Sequence, residues 1–266
     1  RLNTLLNPPI TEATRRYEER QAEFERTKAE EDEQRKLSID AWIASVCADP
    51  NRIRNPPNLE PNELSSDQYW LLHELLESGI TTIRSSGKNW QQLIPKFGEE
   101  VAQAYRDAAI NYWRHYTPTL QSEGDIRDNS IPYALIFALA GLEIESSEVA
   151  NFPNHLSESL VNHALRYITW ELNGFPNWLE KVHKAFPALT ESAVIQELTW
   201  ELDNSISNSE QPRHYIIYNL AYHAPWLHLP MARVILEWLF SNNAYLHVNR
   251  GECLRILIEG GTDNAR

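Results

Sequence analysis

The sequence is poor in cysteine and has no long apolar run, and both shortages narrow the possible classes of protein. Its 266 residues include two cysteines, Cys47 and Cys253, which lie far apart and outside any CxxC spacing. This pattern argues against a disulfide scaffold and a zinc ribbon and favours a reducing compartment, so we expect a cytoplasmic protein. No stretch approaches about 18 uninterrupted apolar residues, so we expect no membrane-spanning helix.

Basic residues are also scarce relative to acidic ones. The chain has 24 lysines and arginines and 37 acidic residues, which give a formal net charge of −13. Phosphates repel an acidic chain, so neither nucleic acid nor an anionic membrane is an expected partner. The charge favours a basic or neutral protein partner. The chain does have 42% hydrophobic residues and nine tryptophans, which are enough for a real core. Its oligomeric state is not indicated.

Methionine is the rarest residue, since Met231 is the only one and the chain begins at Arg1. We therefore expect a piece of a longer or processed protein. On this interpretation, any catalytic residues of the parent protein belong to another part of it.

The N-terminal segment, residues 1–48, predicts a long charged helix. Residues 11–36 are nearly all helix formers of mixed charge, and Tyr17 and Phe24 are its main apolar side chains. This is typical of a solvated helix with a thin contact stripe. The alternative is a partner-binding coiled coil, although the apolar positions are not sustained over three or four heptads. From Leu37 onward the helix becomes apolar, and we expect that end to pack on the body of the protein.

The remainder of the chain predicts a linker followed by a helical domain. Residues 49–64 contain four prolines and no periodicity, which indicates a linker. Ser65 and Gln68 have the spacing of a helix-capping box, and Gly79 stands where that helix should end. Residues 65–266 show helical patterns punctuated by Pro, Gly and Asn, without convincing strand alternation. We therefore predict an all-α fold.

A tryptophan corner recurs in degenerate form along this domain. Trp90, Trp178 and Trp226 each follow a helix breaker and precede an apolar residue three or four positions later. Their spacing fits a unit of about 44 to 48 residues, the size of a HEAT or armadillo repeat. We therefore predict stacked helical hairpins forming a HEAT-like α-solenoid, in which each pair of helices covers the apolar face of the next. We expect the indoles of all three tryptophans to be buried at these corners.

The residues around Trp178 fit the structural role of a sharp corner. Gly174 allows a positive φ at the end of one helix, and Pro176 suits the first turn of the next. Phe175 supplies apolar area between layers. Pro225 stands directly before Trp226, and Pro176 stands two positions before Trp178. A tryptophan-lined ligand pocket and a partner-binding hot spot are the alternatives.

The segment ELNGFPNWLEKVHKAFP, followed by VIQELTWEL, resembles degenerate helical repeats in large, mostly uncharacterised bacterial proteins. Some of these proteins carry an NTPase module upstream, and some are defence-associated. The resemblance covers residues 160–240. It implies a sensor or scaffold region attached to an effector or motor elsewhere, and it carries over no catalytic residues.

The sequence contains no recognisable catalytic, cofactor or metal motif. Walker A, GxGxxG, HExxH, GxSxG and EF-hand patterns are missing, and the nine histidines lack the spacing of a zinc site. The acidic loop at 123–128 could hold a cation weakly but is more typical of a polar connection. We therefore predict no catalytic, cofactor or metal residues and no cofactor.

The expected function is protein–protein recognition or scaffolding by a non-catalytic helical repeat module. Two alternatives stay open: a sensor or regulatory region of a bacterial defence NTPase, and an all-α enzyme with an unrecognised polar pocket. A deep pocket with several convergent titratable groups would favour the enzyme, whereas a shallow groove would favour binding.

Overall fold

The computed structural model describes residues 11–57, 59–60, 62–78, 83–123, 131–171, 174–204, 215–242 and 249–261. Every regular element in these ranges is a helix, so the all-α prediction is confirmed. The chain divides into two units, residues 1–50 and residues 51–266. None of the described helices combines the length and the apolar character needed to cross a bilayer.

The first unit contains one long helix, α1 (Glu12–Ala48). Thr11 caps it, because its side-chain oxygen accepts a hydrogen bond from the Thr14 amide at 3.1 Å. Tyr17 and Phe24 are exposed, at 60% and 65% of their surface. The charged helix predicted from the sequence is therefore present and largely solvated. The expected packing of its apolar C-terminal end stays a prediction.

The second unit contains the other described helices, among them short 3-10 helices at Ile83–Lys88, Trp90–Leu93, Gln121–Glu123 and Pro225–Leu227. The α-helices are, in chain order, α2 (Asn51–Arg54), α3 (Ser66–Ser78), α4 (Ile94–Phe97), α5 (Glu99–Trp113), α6 (Tyr133–Glu148), α7 (Glu158–Leu165), α8 (Leu179–Ala185), α9 (Pro187–Asn204), α10 (Ile216–His223), α11 (His228–Asn242) and α12 (Arg250–Glu259). Consecutive helices pack against each other in the pairs α5–α6, α8–α9 and α11–α12.

Helix α2 lies inside the segment 49–64 that was expected to be a linker. Ile53 is fully buried, and Arg54 Nε donates to an Asp107 carboxylate oxygen of α5 at 3.0 Å. Within the segment expected to be a linker, residues 51–54 therefore form a short helix that packs on α5. A helix of four residues is too short to show a period in the sequence, and its burial depends on a helix about 50 residues further along.

The start of α3 follows the capping pattern predicted from the sequence. The Gln68 amide donates to Ser65 Oγ at 3.2 Å, and the Ser65 amide donates to Gln68 Oε1 at 3.1 Å. These reciprocal bonds satisfy two amides that the first turn of a helix leaves unpaired. The predicted end at Gly79 lies outside the described residues.

Helices α5 and α6 approach closely enough that one position must be glycine. A Cβ added to Gly141 would lie 1.9 Å from the Ala109 carbonyl oxygen, far inside any allowed contact. Beside this contact, the rings of Tyr105 and Phe137 meet edge to face with centroids 5.2 Å apart. Helix α6 is apolar on nearly all sides because neighbours surround it. A connected apolar core continues from this pair to α12.

Candidate binding groove

The three tryptophans of the predicted corners differ in burial. Trp178 is 1% exposed, whereas Trp90 and Trp226 are half-buried. The Trp90 indole N–H donates to Glu148 Oε1 at 2.7 Å, and the Trp226 ring packs on His183 with centroids 4.8 Å apart. The full burial expected for all three indoles is therefore found at Trp178 alone, because polar surface partners hold the other two at the edge of the fold.

The corner at residues 174–178 contains the expected left-handed glycine. Gly174 has φ of 107°, and a Cβ there would lie 2.8 Å from Cγ of His223 on α10. Pro176 is buried, but it stands ahead of α8 and not in its first turn, and its carbonyl accepts from the Leu179 amide at 3.0 Å. Phe175 is half-buried against the core.

The corner before α11 places its proline differently. Pro225 occupies the first position of the 3-10 helix that leads into α11, and its side chain is exposed. It therefore has the helix-opening role that the sequence suggested for Pro176. A proline suits this position because the amide it lacks would have no partner inside the helix.

A cleft of about 380 Å³ lies between α7 and α9. Its lining residues recur every three or four positions along each helix, so each helix presents one face to the cleft. The first face consists of Ser159, Asn162, His163 and Arg166, and the second of Leu189, Ser192, Ala193, Gln196 and Glu197. Leu120 and Leu165 add apolar surface to the lining. We call this cleft the α7–α9 groove.

Arg166 of the groove is held by the 3-10 turn at Gln121–Glu123. Its guanidinium donates to both carboxylate oxygens of Glu123, at 2.8 and 2.7 Å, and to the Pro118 carbonyl oxygen. The hydrogen bond from Arg166, together with one from the Leu120 amide, holds the pKa of Glu123 below its usual range. The charge of Arg166 is therefore largely compensated within the protein.

His163 and Glu197 also form hydrogen bonds with neighbouring residues. His163 Nε2 lies 2.9 Å from the carbonyl oxygens of Trp113 and Tyr116, so this nitrogen carries a proton and donates. Glu197 is buried and accepts a hydrogen bond from the Ser122 hydroxyl. The ionisable side chains of the groove are thus fixed in structural interactions, and neutral polar and apolar groups line the rest.

A second polar cluster surrounds Glu145, a residue that the sequence analysis did not single out. Its carboxylate is 2% exposed and accepts from Trp113 Nε1 at 2.7 Å, Arg114 Nη2 at 2.5 Å and His155 Nε2 at 2.7 Å. Donors from the end of α5 and from the segment that follows α6 surround this carboxylate, which compensates the cost of burying its charge. No sequence signal could reveal the cluster, because these two segments and Glu145 meet only in the folded chain.

The residues considered for metal binding do not come together in the described part of the chain. No group of three or more His, Cys, Asp or Glu side chains there could hold a metal ion. Of the acidic loop at 123–128, Glu123 binds Arg166, while Asp125 and Asp128 lie outside the described residues.

Compared with known proteins, the chain matches no protein-family model, and no curated protein or solved structure is significantly similar to it.

Proposed function

We propose that this chain is a non-catalytic helical module that recognises a segment of a partner protein in the α7–α9 groove. One observation carries the proposal. The groove is bounded by two helix faces whose ionisable side chains already form hydrogen bonds or ion pairs within the protein. Its volume, about 380 Å³, lies at the lower end of the range of ligand sites.

The state of these ionisable groups favours binding over catalysis. A general base must reach the proton that it removes, and a nucleophile needs a base beside it. In the groove, His163 Nε2 donates to two carbonyl oxygens and is not placed to take a proton. The Ser122 hydroxyl donates to Glu197, but that carboxylate is buried, and Ser122 also accepts from Gln196 Nε2, so α9 holds the hydroxyl from two sides. An all-α enzyme acting at this groove is therefore the weaker proposal.

The groove fits an uncharged peptide segment with both apolar and hydrogen-bonding groups. Leu189 and Ala193 offer apolar contact, and Asn162 and Ser192 are exposed polar side chains on opposite walls. Amide and hydroxyl groups can pair with the backbone of a bound chain, while the apolar positions select side chains.

The pairing of consecutive helices supports the further proposal of HEAT-like hairpins. The pairs α5–α6, α8–α9 and α11–α12 each join neighbours in sequence, as stacked hairpins require. In such a stack, grooves between successive hairpins are natural binding surfaces. Within a longer cytoplasmic parent, the module would serve as a scaffold or sensor region, including the regulatory region of a defence NTPase that the resemblance suggests.

The proposal can be tested by selecting peptides from a random displayed library on the purified chain. The Ser192→Trp variant fills the groove with an indole, whereas Ser147→Trp adds the same group at an exposed position of α6 outside it. We expect selected peptides to lose at least about tenfold in affinity for Ser192→Trp and to keep it for Ser147→Trp, a difference of about 1.4 kcal/mol. The proposal would be contradicted if no peptide were selected. It would also be contradicted if the selected peptides bound Ser192→Trp as tightly as the original protein.

A further inference from the structure

Four aromatic rings meet at the surface where α3 lies beside the start of α6. They belong to Tyr69, Trp70 and His73 of α3 and Tyr133 of α6, and we call them the aromatic cluster. The Tyr69 ring centroid lies 5.3 Å from that of Trp70, 4.7 Å from that of Tyr133 and 6.0 Å from that of His73. Trp70 stands nearly perpendicular to Tyr69, at 79°, and at 68° to His73.

This cluster is open to solvent, unlike the aromatic residues of the core. Trp70 is 51% exposed and Tyr133 is 37% exposed, whereas Trp113 and Trp178 are almost completely buried. Exposed tryptophan and tyrosine side chains are over-represented at the energetic centres of protein interfaces. Leaving half of an indole in water gives up burial free energy that a bound partner could recover.

Two features of the cluster favour a cation, the faces of its rings and the nearby carboxylate of Glu77. The faces of aromatic rings carry negative charge density, and a Glu77 carboxylate oxygen lies 3.7 Å from His73 Nε2 with its side chain 72% exposed. Burial, followed by Tyr69 and the Glu77 charge, raises the pKa of Tyr133.

Among the described residues, Lys96 is bound by another carboxylate of α3. Lys96 Nζ lies 2.7 Å from Glu74, its side-chain partner on α3, and 5.4 Å from the centre of the Phe97 ring. The Glu77 side chain is 72% exposed, so its charge is accessible to a group from outside, and the formal net charge of −13 attracts a cationic one.

Elsewhere the same chain already places arginines on aromatic rings. The Arg255 guanidinium lies 4.8 Å from the centre of the Tyr222 ring, and that of Arg114 lies 4.9 Å from the Trp113 ring. A guanidinium suits such a surface because its plane stacks on a ring while its edge donates to a carboxylate.

We propose that the aromatic cluster docks an arginine side chain from a basic segment of a partner protein. The guanidinium stacks on Trp70 or Tyr133 and donates to Glu77. This site shares no residue with the α7–α9 groove. Its test is therefore independent of the function proposed for the groove.

The test uses the full chain and two labelled peptides of the same length. One carries three arginines among glycine and serine, and the other carries citrulline, which is isosteric and uncharged, at those three positions. Binding is measured by fluorescence anisotropy at physiological salt. We expect the arginine peptide to bind and the citrulline peptide to bind at least about tenfold more weakly, because both the ring faces and Glu77 require the charge.

Variants then locate the binding site. Trp70→Ala and Glu77→Gln should each weaken binding of the arginine peptide by about threefold to tenfold. Tyr218→Ala, at an equally exposed tyrosine of α10, should leave the affinity unchanged. Glu77→Gln removes charge from an exposed side chain without removing a ring, so it remains informative should Trp70→Ala impair folding.

Two results would overturn the proposal. The first is equal affinity for the arginine and citrulline peptides. The second is binding of the arginine peptide that survives both Trp70→Ala and Glu77→Gln, since that would show general attraction to an acidic surface and no docking at the cluster.

Discussion

Cys253 lies in the core, where burial, with added effects of Glu201 and Glu252, raises the pKa of its thiol to about 12. Cys47 is exposed. Because the thiolate is the reactive form, we expect an aromatic disulfide reagent at pH 8 to modify one thiol in the folded protein and two in denaturant. Peptide mapping should find the first label on Cys47. Rapid labelling of both thiols in the folded protein would contradict the buried position of Cys253.

Trp178 is a second residue whose environment predicts a measurable effect. We expect Trp178→Ala to lower the free energy of unfolding by about 3–5 kcal/mol, because it empties a core position. Its indole nitrogen is buried with no acceptor among the described residues. Trp178→Phe removes this unsatisfied donor along with part of the ring and should cost less. Denaturant titrations measure both variants, and Trp226→Ala, at a half-buried tryptophan, serves as the comparison with a smaller loss.

At the scale of elements, the contact between α5 and α6 depends on Gly141. Gly141→Ala puts a methyl group 1.9 Å from the Ala109 carbonyl oxygen, so the helices must separate. We expect a loss of about 3 kcal/mol or more in unfolding free energy, at the upper end for overpacking. Gly251→Ala in α12 is the matched control, because its added Cβ meets open space, and it should be neutral or stabilising. Equal stability of the two variants would contradict the close approach.

The elements that the sequence predicts well are those determined by neighbouring residues. Helix α1 follows from a run of helix formers, and the Ser65–Gln68 capping box follows from a three-residue spacing. Helix α2 was missed because its stability comes from burying Ile53 in the second unit. The α7–α9 groove could not be predicted either, since its two faces are separated in sequence and the groove depends on how the helices meet.

The ion pair between Glu123 and Arg166 links the 3-10 turn at Gln121–Glu123 to the end of α7. The stability that this pair contributes depends on pH. Since the pKa of Glu123 is lowered in the fold, its stabilising effect is complete above its unfolded pKa of about 4.3 and is lost as the pH falls through the lowered value. The Glu123 side chain is 39% exposed, so solvent screening keeps the effect small.

We expect Glu123→Gln to lower stability at pH 7 and to flatten the acid limb of the stability curve. Denaturant unfolding at a series of pH values from 7 to about 3 gives both quantities. Glu180→Gln, which removes the partner of Lys184 in an exposed pair within α8, controls for the general loss of one negative charge. Parallel acid limbs for the original protein and Glu123→Gln would show that this carboxylate is not specially stabilised.

At the scale of the whole molecule, the division into two units predicts that residues 51–266 fold without the first unit. Most side chains in the described part of α1 are exposed, so this helix contributes little buried surface of its own. We expect the shortened chain to unfold cooperatively, with a dependence on denaturant close to that of the full chain, because this slope follows the surface exposed on unfolding. Circular dichroism during denaturant titration measures it, and loss of the cooperative transition would contradict the division.

Helix α1 also has a geometric consequence. Its 37 residues, at about 1.5 Å per residue, extend for about 55 Å. Tyr17 and Cys47 are thirty residues apart, so about 45 Å of helix axis separates them, and two small probes attached at these positions would report that fixed distance. Removing seven residues between them would shorten the distance by about 10 Å and leave the remaining side chains pointing in nearly the same directions.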